Sequence, residues 1–436
     1  MSEQISLETK LIKKRVHSID AFRGLTILLM IFVIQIGAGG YKRLPLTFSH
    51  FGSAPVTTFK HAAEDGDEEE WATVQKEGQF KKFHKGIVTA VHPNGTYDVT
   101  IKDTKESFKN VSIFHPRPSR LDDEVIVVYK SPNSTPEFRG VGNGCTVTDL
   151  VAPFFVFIVG ICIPLSRKRR GTDWWRHVLV RTFGLIILGV LYISLILSLS
   201  YWWGILQAIG VAYFMGAAAM KLPKWGRWLL VAVIAVVHSY LSWNVGWWLE
   251  IGQRGAGFLR LIQPDGDPLR PLIVHCTPWA SISYGLMTIV GTLLGDAVVS
   301  GDKKIIAKQC LLIGVIFTLV GYLMHRFIIP INKDLVSSSY AVFTSGVGSL
   351  TFLIFYWIMD VWGLKKWAWF LGVFGSNALL AYFLQPVVRI FLWALGFKDY
   401  FANHIGWTAM LMALAWTAIL WFVTLWFNYK KIYIKL

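Results

Sequence analysis

The sequence has few cysteines and no recognisable nucleotide or metal signature. Its four cysteines, at positions 145, 162, 276 and 310, lack the paired spacing of a zinc site, so no metal is predicted. The 436 residues contain no Walker loop, no strand–helix GxGxxG turn and no HExxH helix. These absences exclude the commonest nucleotide-binding and zinc-hydrolase classes.

Acidic residues are also scarce, with 27 Asp and Glu against 43 Lys and Arg and a formal net charge of +16. Such a surplus could indicate nucleic-acid binding, but no basic and aromatic binding module accompanies it. The basic residues instead form short clusters between long apolar runs. With 54% hydrophobic residues and 20 Trp, the chain is predicted to have the lipid bilayer as its partner and no nucleic acid.

Apolar runs recur at the length that crosses a bilayer, about 20 residues. We therefore predict an all-α polytopic membrane protein with about ten transmembrane helices. The first run shows no small-residue cleavage site, so it is expected to be retained. The predicted spans lie near residues 19–38, 148–165, 179–199, 201–220, 228–249, 279–299, 305–329, 339–361, 367–394 and 406–428.

The basic clusters fall on alternate links between the predicted spans. They comprise Lys13 to Arg15, Arg167 to Arg170, Lys221 with Lys224 and Arg227, Lys303 with Lys304, Lys365 with Lys366, and Lys430 with Lys431. Since Lys and Arg are enriched in cytosolic loops, both termini are predicted to be cytosolic. Loops after odd-numbered spans are then expected to face a lumen or the exterior.

One predicted outer loop is long and polar, and its pattern is that of a small β domain. Asn94-Gly95 between alternating apolar residues is a strong hairpin signal. Strands are predicted at 86–91, 97–102, 108–114 and 124–129, and the segment looks like a Tudor or SH3-like small barrel. We therefore divide the chain into residues 1–51, an inserted domain at 52–141, and a helical core at 142–436.

Residues 143–160 place one carboxylate, Asp149, at the start of an apolar segment. An acidic residue at membrane depth is costly unless it faces a polar interior, which makes Asp149 a candidate site residue. The alternative is a helix N-terminus capped by Thr146 or Thr148, with Asp149 stabilised by the helix dipole. The residues alone leave both interpretations open.

Five short motifs, in order along the chain, carry a family resemblance. Ser18-Ile-Asp-Ala-Phe-Arg-Gly-Leu-Thr and the 143–160 stretch come first, followed by Gly204-Ile-Leu-Gln-Ala-Ile-Gly, Pro330-Ile-Asn-Lys-Asp-Leu with Ser339-Tyr340, and Phe374-Gly-Ser-Asn-Ala-Leu. Together they resemble the transmembrane acetyltransferases typified by heparan-alpha-glucosaminide N-acetyltransferase. The resemblance implies acetyl transfer from cytosolic acetyl-CoA to the amine of a glucosamine-like glycan on the far side.

The resemblance also assigns roles to residues. His50 is the expected acetyl-handling catalytic residue, and an imidazole can act as a neutral base or nucleophile near neutral pH. Asp20 and Arg23 are expected at the acetyl-CoA site, where a guanidinium can bind phosphate, although a simple Asp20–Arg23 ion pair is the alternative. The expected substrate-binding or supporting residues are Asn143, Asp149, Gln207, Asn332, Lys333, Ser376 and Asn377. A polar turn at 332–334 and interhelical contacts at Gln207, Ser376 and Asn377 are the alternatives.

The chain departs from the family pattern at three places. Ile34 replaces an Asn, Gly142 replaces an aromatic residue, and residues 276–280 replace an Asp-Pro-Glu-Gly string. Another envelope or glycan acceptor is therefore an alternative, as is a non-catalytic transporter on the same scaffold. The resemblance implies a lysosomal membrane in a eukaryote, a plasma or inner membrane in a bacterium, and allows a homodimer.

Overall fold

Helices dominate the computed structural model, which describes residues 16–37, 82–93, 96–111, 113–114, 121, 124–129, 136–140, 145–197, 204–241, 278–329, 331–333, 336–397 and 407–434. The predicted site residues His50 and Asn143 lie outside the described residues. So do Asn94-Gly95 and the departures at Gly142 and at residues 276–279.

Eleven helices, α1 to α11, occupy the described part of the core, and each of the ten predicted spans overlaps at least one of them. Their bounds are His17–Gly37, Val147–Arg170, Trp174–Leu197, Ile205–Ala219, Lys224–Tyr240, Pro278–Ser300, Lys303–Phe327, Ser338–Tyr356, Trp369–Ser376, Ala378–Ala394 and Trp407–Tyr429. A π-helical turn, Trp357–Val361, extends α8. The ninth predicted span is therefore broken into α9 and α10.

Length and hydropathy mark six candidate membrane spans within the described residues, and a seventh if the bent α9–α10 pair crosses as one. One of the six, Val147–Tyr192, joins α2 and α3 through the short turn Gly171–Asp173. The shorter α4 and α5 do not meet the length criterion of about 18 residues. The protein is thus a multi-pass, mostly helical membrane protein, and the count of ten spans stays a prediction.

The helical core is centred on α2, whose residues pack against α1, α6 and α8. Fully buried aromatic side chains fill this region: Phe22, Phe157, Tyr284, Tyr340 and Phe352. The rings of Phe22 and Phe154 lie 5.3 Å apart, and those of Phe22 and Phe355 lie 5.6 Å apart. Such contacts hold α1, α2 and α8 together.

The polar segment folds as a sheet of six strands, β1 to β6, in the order β3-β2-β1-β5-β6-β4. The strands are Lys82–Val91, Tyr97–Ile101, Ser107–Val111, Ile113–Phe114, Glu124–Tyr129 and Glu137–Gly140. All pairings are antiparallel except β4 with β6. Val88, Val99 and Val127 form its buried core, as their alternation predicts.

The predicted small β insert is therefore present, with two differences in detail. The predicted strand at 108–114 is split into β3 and β4, and β6 was not predicted because its four residues, Glu-Phe-Arg-Gly, are too few to show alternation. The backbone N–H of His92 donates to the Thr96 carbonyl at 2.9 Å, closing the predicted hairpin. The barrel interpretation and the domain limits stay predictions.

Candidate functional site

Asp149 lies fully buried in the first turn of α2. Its Oδ2 accepts hydrogen bonds from the Thr146 backbone N–H at 3.0 Å and from the Thr146 hydroxyl at 3.1 Å. The Asp149 N–H donates to the Thr146 carbonyl at 3.1 Å. A side chain three residues into a helix that accepts from the N-cap backbone is half of a capping box. The capping interpretation of Asp149 is thus confirmed.

Capping is not the whole role of Asp149, because its second oxygen faces a charge. Lys333 Nζ lies 3.5 Å from Asp149 Oδ1, and both side chains are almost entirely buried. The hydroxyl of Tyr340 donates to the Asp149 backbone carbonyl. A buried carboxylate is tolerated when it is paired and hydrogen-bonded in this way. Predicted site residues from two distant motifs are therefore in direct contact.

The loop that carries Lys333 is held by its own backbone. The Asn332 N–H donates to Ser337 Oγ and the Ser337 N–H donates to the Asn332 carbonyl, each at 3.1 Å. Val336 closes the turn at φ 47°, donating to the Lys333 carbonyl. The predicted polar turn is present, and it aims the Lys333 side chain at α2.

Cys145 is a second functional group at this end of α2. Burial, with a smaller contribution from the Asp149 carboxylate, raises the pKa of the Cys145 thiol. Since the thiolate is the nucleophilic form, a raised pKa lowers the reactivity of this sulfur.

His238 belongs to the same region, and it lies in none of the sequence motifs. It is 1% exposed near the end of α5, with Ser283 Oγ 3.1 Å from Nε2 and Ser338 Oγ 3.3 Å from Nδ1. These contacts join α5, α6 and α8 a few residues from Lys333 and Tyr340. A histidine inside an otherwise apolar helix is the signal that could have identified it.

A large cavity of about 1560 Å³ occupies the opposite end of α2. That volume exceeds the roughly 300–1,000 Å³ typical of small-molecule sites. Seven basic side chains line it against three acidic ones, so its charge favours an anionic ligand. The basic ones are Arg23, Lys168, Arg169, Arg170, Arg181, Lys303 and Lys365, and the acidic ones are Asp20, Asp296 and Asp360.

The predicted acetyl-CoA residues Asp20 and Arg23 both line this cavity. Arg23 Nη1 lies 3.8 Å from Asp20 Oδ1, so the predicted ion pair forms. Arg23 Nη2 also donates to the Cys162 sulfur at 3.1 Å. A guanidinium has five N–H donors, and these two contacts leave room for phosphate oxygens. The ion pair and a ligand site are thus compatible at one place.

Arg181 and Tyr213 are cavity residues that the sequence analysis did not identify. The Arg181 guanidinium carbon lies 4.9 Å from the centre of the Tyr213 ring. Among the described residues, neither Arg181 Nε nor the Tyr213 hydroxyl has a hydrogen-bond partner, although both atoms are buried. Buried polar atoms are normally hydrogen-bonded, so these two are suited to contact a polar ligand.

The cavity extends along one face of α2 towards the buried ion pair. Phe155, Val159 and Cys162 line it at the spacing of successive helical turns. Phe155 is six residues after Asp149, which corresponds to about 9 Å along the helix axis. The apolar inner wall of the cavity therefore lies less than two turns of α2 from Asp149, whereas Cys162, which contacts Arg23, is thirteen residues or about 20 Å along the helix from it.

The remaining predicted residues have different surroundings. Gln207 is 2% exposed and accepts from the Gly204 N–H at 3.1 Å, so it caps its own helix, α4. Ser376 lines the cavity and donates to the Val373 carbonyl at 3.1 Å. Asn377 is buried at the break between α9 and α10. The structure places none of the three beside Asp149.

Three of the six basic clusters contribute residues that line the cavity, and the other three are close in sequence to residues at the same end of the molecule. Residues 168–170, Lys303 and Lys365 line the cavity, as do Val16, next to the first cluster, and Tyr433, next to the last. Arg167 donates to the Met220 carbonyl at 2.8 Å, which brings the link after α4 to the same end. The predicted one-sided arrangement is consistent with this grouping, and its assignment to the cytosol stays a prediction.

Together these features define a multi-pass membrane protein with a cationic cavity at one end of a central helix and a buried ion pair at the other. Comparison with known families then gives a more specific answer. The model of the family "Heparan-alpha-glucosaminide N-acetyltransferase, catalytic" matches residues 135–327. The match begins next to β6 and ends with α7, so it contains Asp149 and Gln207 but not Arg23, Lys333 or Asn377.

Two curated relatives agree with that match. Heparan-alpha-glucosaminide N-acetyltransferase of Mus musculus is 26% identical over 368 residues, covering 66% of this chain and 54% of the relative. The Homo sapiens protein of the same name is 26% identical over 357 residues, covering 63% and 53%. The chain thus spans about half the length of these relatives. The resemblance drawn from its motifs is confirmed: the chain is similar to the heparan-alpha-glucosaminide N-acetyltransferases.

Proposed function

We propose that this chain transfers an acetyl group from cytosolic acetyl-CoA to the amine of a glucosamine-like sugar on the other side of the membrane. One observation carries the proposal. A cavity with basic side chains extends along α2 until its inner wall lies within about 9 Å, measured along the helix axis, of the buried Asp149–Lys333 pair. A polyanionic donor cannot cross a hydrocarbon core, whereas an acetyl group can be passed on inside the protein.

The donor is assigned to the cavity. The basic side chains at its mouth attract phosphate groups, and Arg23 and Arg181 offer charge-assisted hydrogen bonds farther in. Phe155 and Val159 give the inner part an apolar wall suited to the uncharged acyl arm. This arrangement directs the thioester towards Asp149 while the phosphates stay at the basic end.

Acetyl transfer itself is assigned to His50, with Asn143 as a supporting residue. An unprotonated imidazole can take the proton that the sugar amine loses as its nitrogen attacks the acetyl carbonyl. The carbon–sulfur bond then breaks and CoA leaves as its thiol. A covalent acetyl-His50 would divide the same exchange into two steps. Asp149, Lys333 and Asn332 support the acceptor end, and both termini are proposed to be cytosolic.

Transfer across liposomes tests the proposal directly. The full-length protein is reconstituted, labelled acetyl-CoA is supplied on the side of the basic loops, and glucosamine is enclosed on the other side. The expected product is labelled N-acetylglucosamine inside the vesicle. Absence of transfer to glucosamine or to heparan-type oligosaccharides, in protein that binds acetyl-CoA, would contradict the acceptor assignment.

The donor site is tested separately through a thiol that the chain already has. Cys162 lines the cavity beside Arg23, whereas Cys310 is buried elsewhere and serves as the matched control. Acetyl-CoA is expected to slow alkylation of Cys162 by N-ethylmaleimide without affecting Cys310. An unchanged Cys162 rate at saturating acetyl-CoA would contradict the donor site.

One observation favours a second candidate, a transporter. Residues Lys366–Ser376 and Ala378–Ala394 form a helix pair bent by 69°. Broken helices at a binding site are common in transporters. Uptake of labelled glucosamine or acetyl-CoA into protein-containing vesicles, without acetylation, would support that alternative over the enzyme.

A further inference from the structure

The break between α9 and α10 is where the helical core binds a distant part of the chain. α9 ends at Ser376 and α10 begins at Ala378, so Asn377 is the single residue between them. Its backbone, at φ −135° and ψ 42°, is outside the helical region. The side chain is 1% exposed, so its amide needs partners inside the protein.

Those partners come from residues 432–434, here called the strap, and from Asn428 in α11. Asn377 Nδ2 donates to the Ile432 carbonyl at 2.8 Å, and Asn377 Oδ1 accepts from the Ile434 N–H at 3.2 Å. The other Nδ2 hydrogen is directed to Asn428 Oδ1 at 3.2 Å. An amide side chain can donate two hydrogen bonds, and both donors of Asn377 are used.

Asn428 makes this connection rigid. Its Nδ2 donates to the Val373 carbonyl at 2.9 Å and to Ser376 Oγ at 3.1 Å. The last turn of α9, the end of α11 and the strap are thus joined by one network of amide hydrogen bonds. The network uses main-chain atoms of the strap, so it depends on the strap's backbone and not on its side chains.

The strap is also a wall of the cavity. Tyr433 and Ile434 line it together with Gly375, Ser376 and Leu379. Tyr433 is 40% exposed and Ile434 is 39% exposed, so both residues are only partly buried. Packing and hydrogen bonds together hold the strap in place, and Asn377 supplies two of the hydrogen bonds.

The same network reaches Arg23 through the packing of α9 on α1. A Cβ on Gly375 would overlap the Asp20 carbonyl, and one on Gly24 would overlap the Leu371 carbonyl, so the two backbones are in direct contact. Asp20 in turn pairs with Arg23. A change at the α9–α10 break is therefore adjacent to the ion pair at the cavity.

We propose that Asn377 is a positioning residue: it holds the strap as a wall of the cationic cavity, and so sets how long an anionic donor stays bound. The inference rests on the proposed function in taking acetyl-CoA as that donor. The strap nevertheless forms a wall of the cavity whether or not a donor is bound. The role of Asn377 in holding the strap can therefore be tested separately from the identity of the donor.

The first experiment measures access to the cavity without any ligand. In a chain with Cys162 as its single cysteine, the rate of alkylation by an anionic thiol reagent reports opening of the wall. Ile434→Pro removes the N–H that Asn377 binds, and Ile434→Ala keeps it, which makes a matched pair. Loss of one neutral hydrogen bond should raise the Cys162 rate about fivefold in Ile434→Pro. Ile434→Ala should stay within about twofold of wild type.

Asn377→Leu removes both strap hydrogen bonds and is expected to raise the rate about tenfold or more. Should that variant fail to fold, the Ile434 pair still decides the matter, because it leaves the buried break intact. Equal Cys162 rates in wild type, Ile434→Pro and Ile434→Ala would overturn the proposal.

The second experiment measures retention of acetyl-CoA. Dissociation is expected to be faster in Ile434→Pro by about the same factor, with a higher KM for acetyl-CoA and unchanged kcat and acceptor KM. A general loss of structure would instead lower kcat and the unfolding temperature. If acetyl-CoA does not protect Cys162 even in wild type, the donor assignment fails while the ligand-free rates still report on the strap. Unchanged acetyl-CoA dissociation alongside faster Cys162 labelling would overturn the role in retention.

Discussion

Buried charged groups have different partners at the two ends of α2. At the Asp149 end, every contact of the carboxylate is made within the protein: Thr146 caps one oxygen and Lys333 pairs with the other. At the cavity end, basic groups outnumber acidic ones, and Arg181 and Tyr213 have buried polar atoms without hydrogen bonds among the described residues. A paired charge stabilises a fold, whereas unpaired donors in the wall of a cationic cavity indicate where an anionic ligand binds.

The contrast between the two ends of α2 predicts that the largest loss of stability follows removal of the Asp149–Lys333 ion pair. Lys333→Met would leave the Asp149 carboxylate buried without a countercharge, at a cost of about 3–5 kcal/mol. The measurement is thermal and denaturant unfolding of the purified protein in detergent. Lys365→Met, at the cavity mouth, is the matched control and should change stability by less than about 0.5 kcal/mol.

A double substitution sharpens this test. Asp149→Asn with Lys333→Met removes both charges and keeps an amide that can accept from Thr146, so much of the lost stability should return. If Lys333→Met is as stable as wild type, the pair at this end contributes nothing measurable, and the contrast between the two ends of α2 loses its basis.

Activity is expected to depend most on His50. His50→Ala should lower acetyl transfer by roughly 10²-fold or more, the scale of general acid–base catalysis. In wild type the rate should fall as the pH drops below about 6.5, where an unperturbed imidazole becomes protonated. Both are measured with labelled acetyl-CoA. His275→Ala changes a histidine of another predicted outer loop, between the spans predicted at 228–249 and 279–299, and should have a much milder effect. Equal rates for wild type and His50→Ala would exclude the assignment.

The cavity end should affect donor binding and leave stability nearly unchanged. Arg181→Gln or Arg23→Gln is expected to weaken acetyl-CoA binding about tenfold each, since each removes charge-assisted hydrogen bonds. Arg389→Gln is the matched control, because that guanidinium also lies over an aromatic ring, Trp393, but does not line the cavity. Equilibrium binding at two salt concentrations measures the effect. A loss as large in Arg389→Gln would show that the effect is not local.

Features of the fold that depend on neighbouring residues could be predicted from the sequence, whereas contacts between residues far apart in the sequence could not. The segment predicted at 339–361 corresponds to α8 and its π-helical turn, and the strand predicted at 124–129 is found unchanged, because hydropathy and alternation are local. The contact between Asp149 and Lys333 joins residues far apart in the sequence. Their motifs marked each as a candidate, but nothing local shows that they meet.

Residues whose role depends on tertiary packing were the ones missed. Arg181 lies in an apolar helix and acquires its importance from Tyr213 and the cavity. Asn377 is predicted as a substrate-binding or supporting residue, with an interhelical contact as the alternative, and its binding of residues 432–434 depends on how α9, α10 and α11 meet. His50 and Asn143 lie outside the described residues, so their roles stay proposals.

The smallest expected effect comes from the β insert, where a partly exposed hydrogen bond between a histidine and a carboxylate contrasts with the buried ion pair at Asp149. His92 Nε2 lies 2.8 Å from Asp98 Oδ1, and the Asn110 N–H also donates to that oxygen at 2.9 Å. The hydrogen bond from His92, followed by the one from Asn110, holds the pKa of Asp98 below its ordinary value of 3.8. Because the pKa is lowered in the folded state, the stabilisation is complete above the ordinary value and is lost as pH falls through the lower, folded value.

The protection factors of the β1–β2 hairpin amides, which are exchange rates corrected for the intrinsic pH dependence, should therefore be insensitive to Asp98 between about pH 5 and 7 and should fall below about pH 4. Asp98→Asn should flatten that acid response and cause only a slight change at neutral pH, since exposed pairs contribute little. An acid response of the same size in Asp98→Asn would show that other carboxylates cause the response. A neutral-pH loss as large as that of Lys333→Met would instead remove the distinction between exposed and buried pairs.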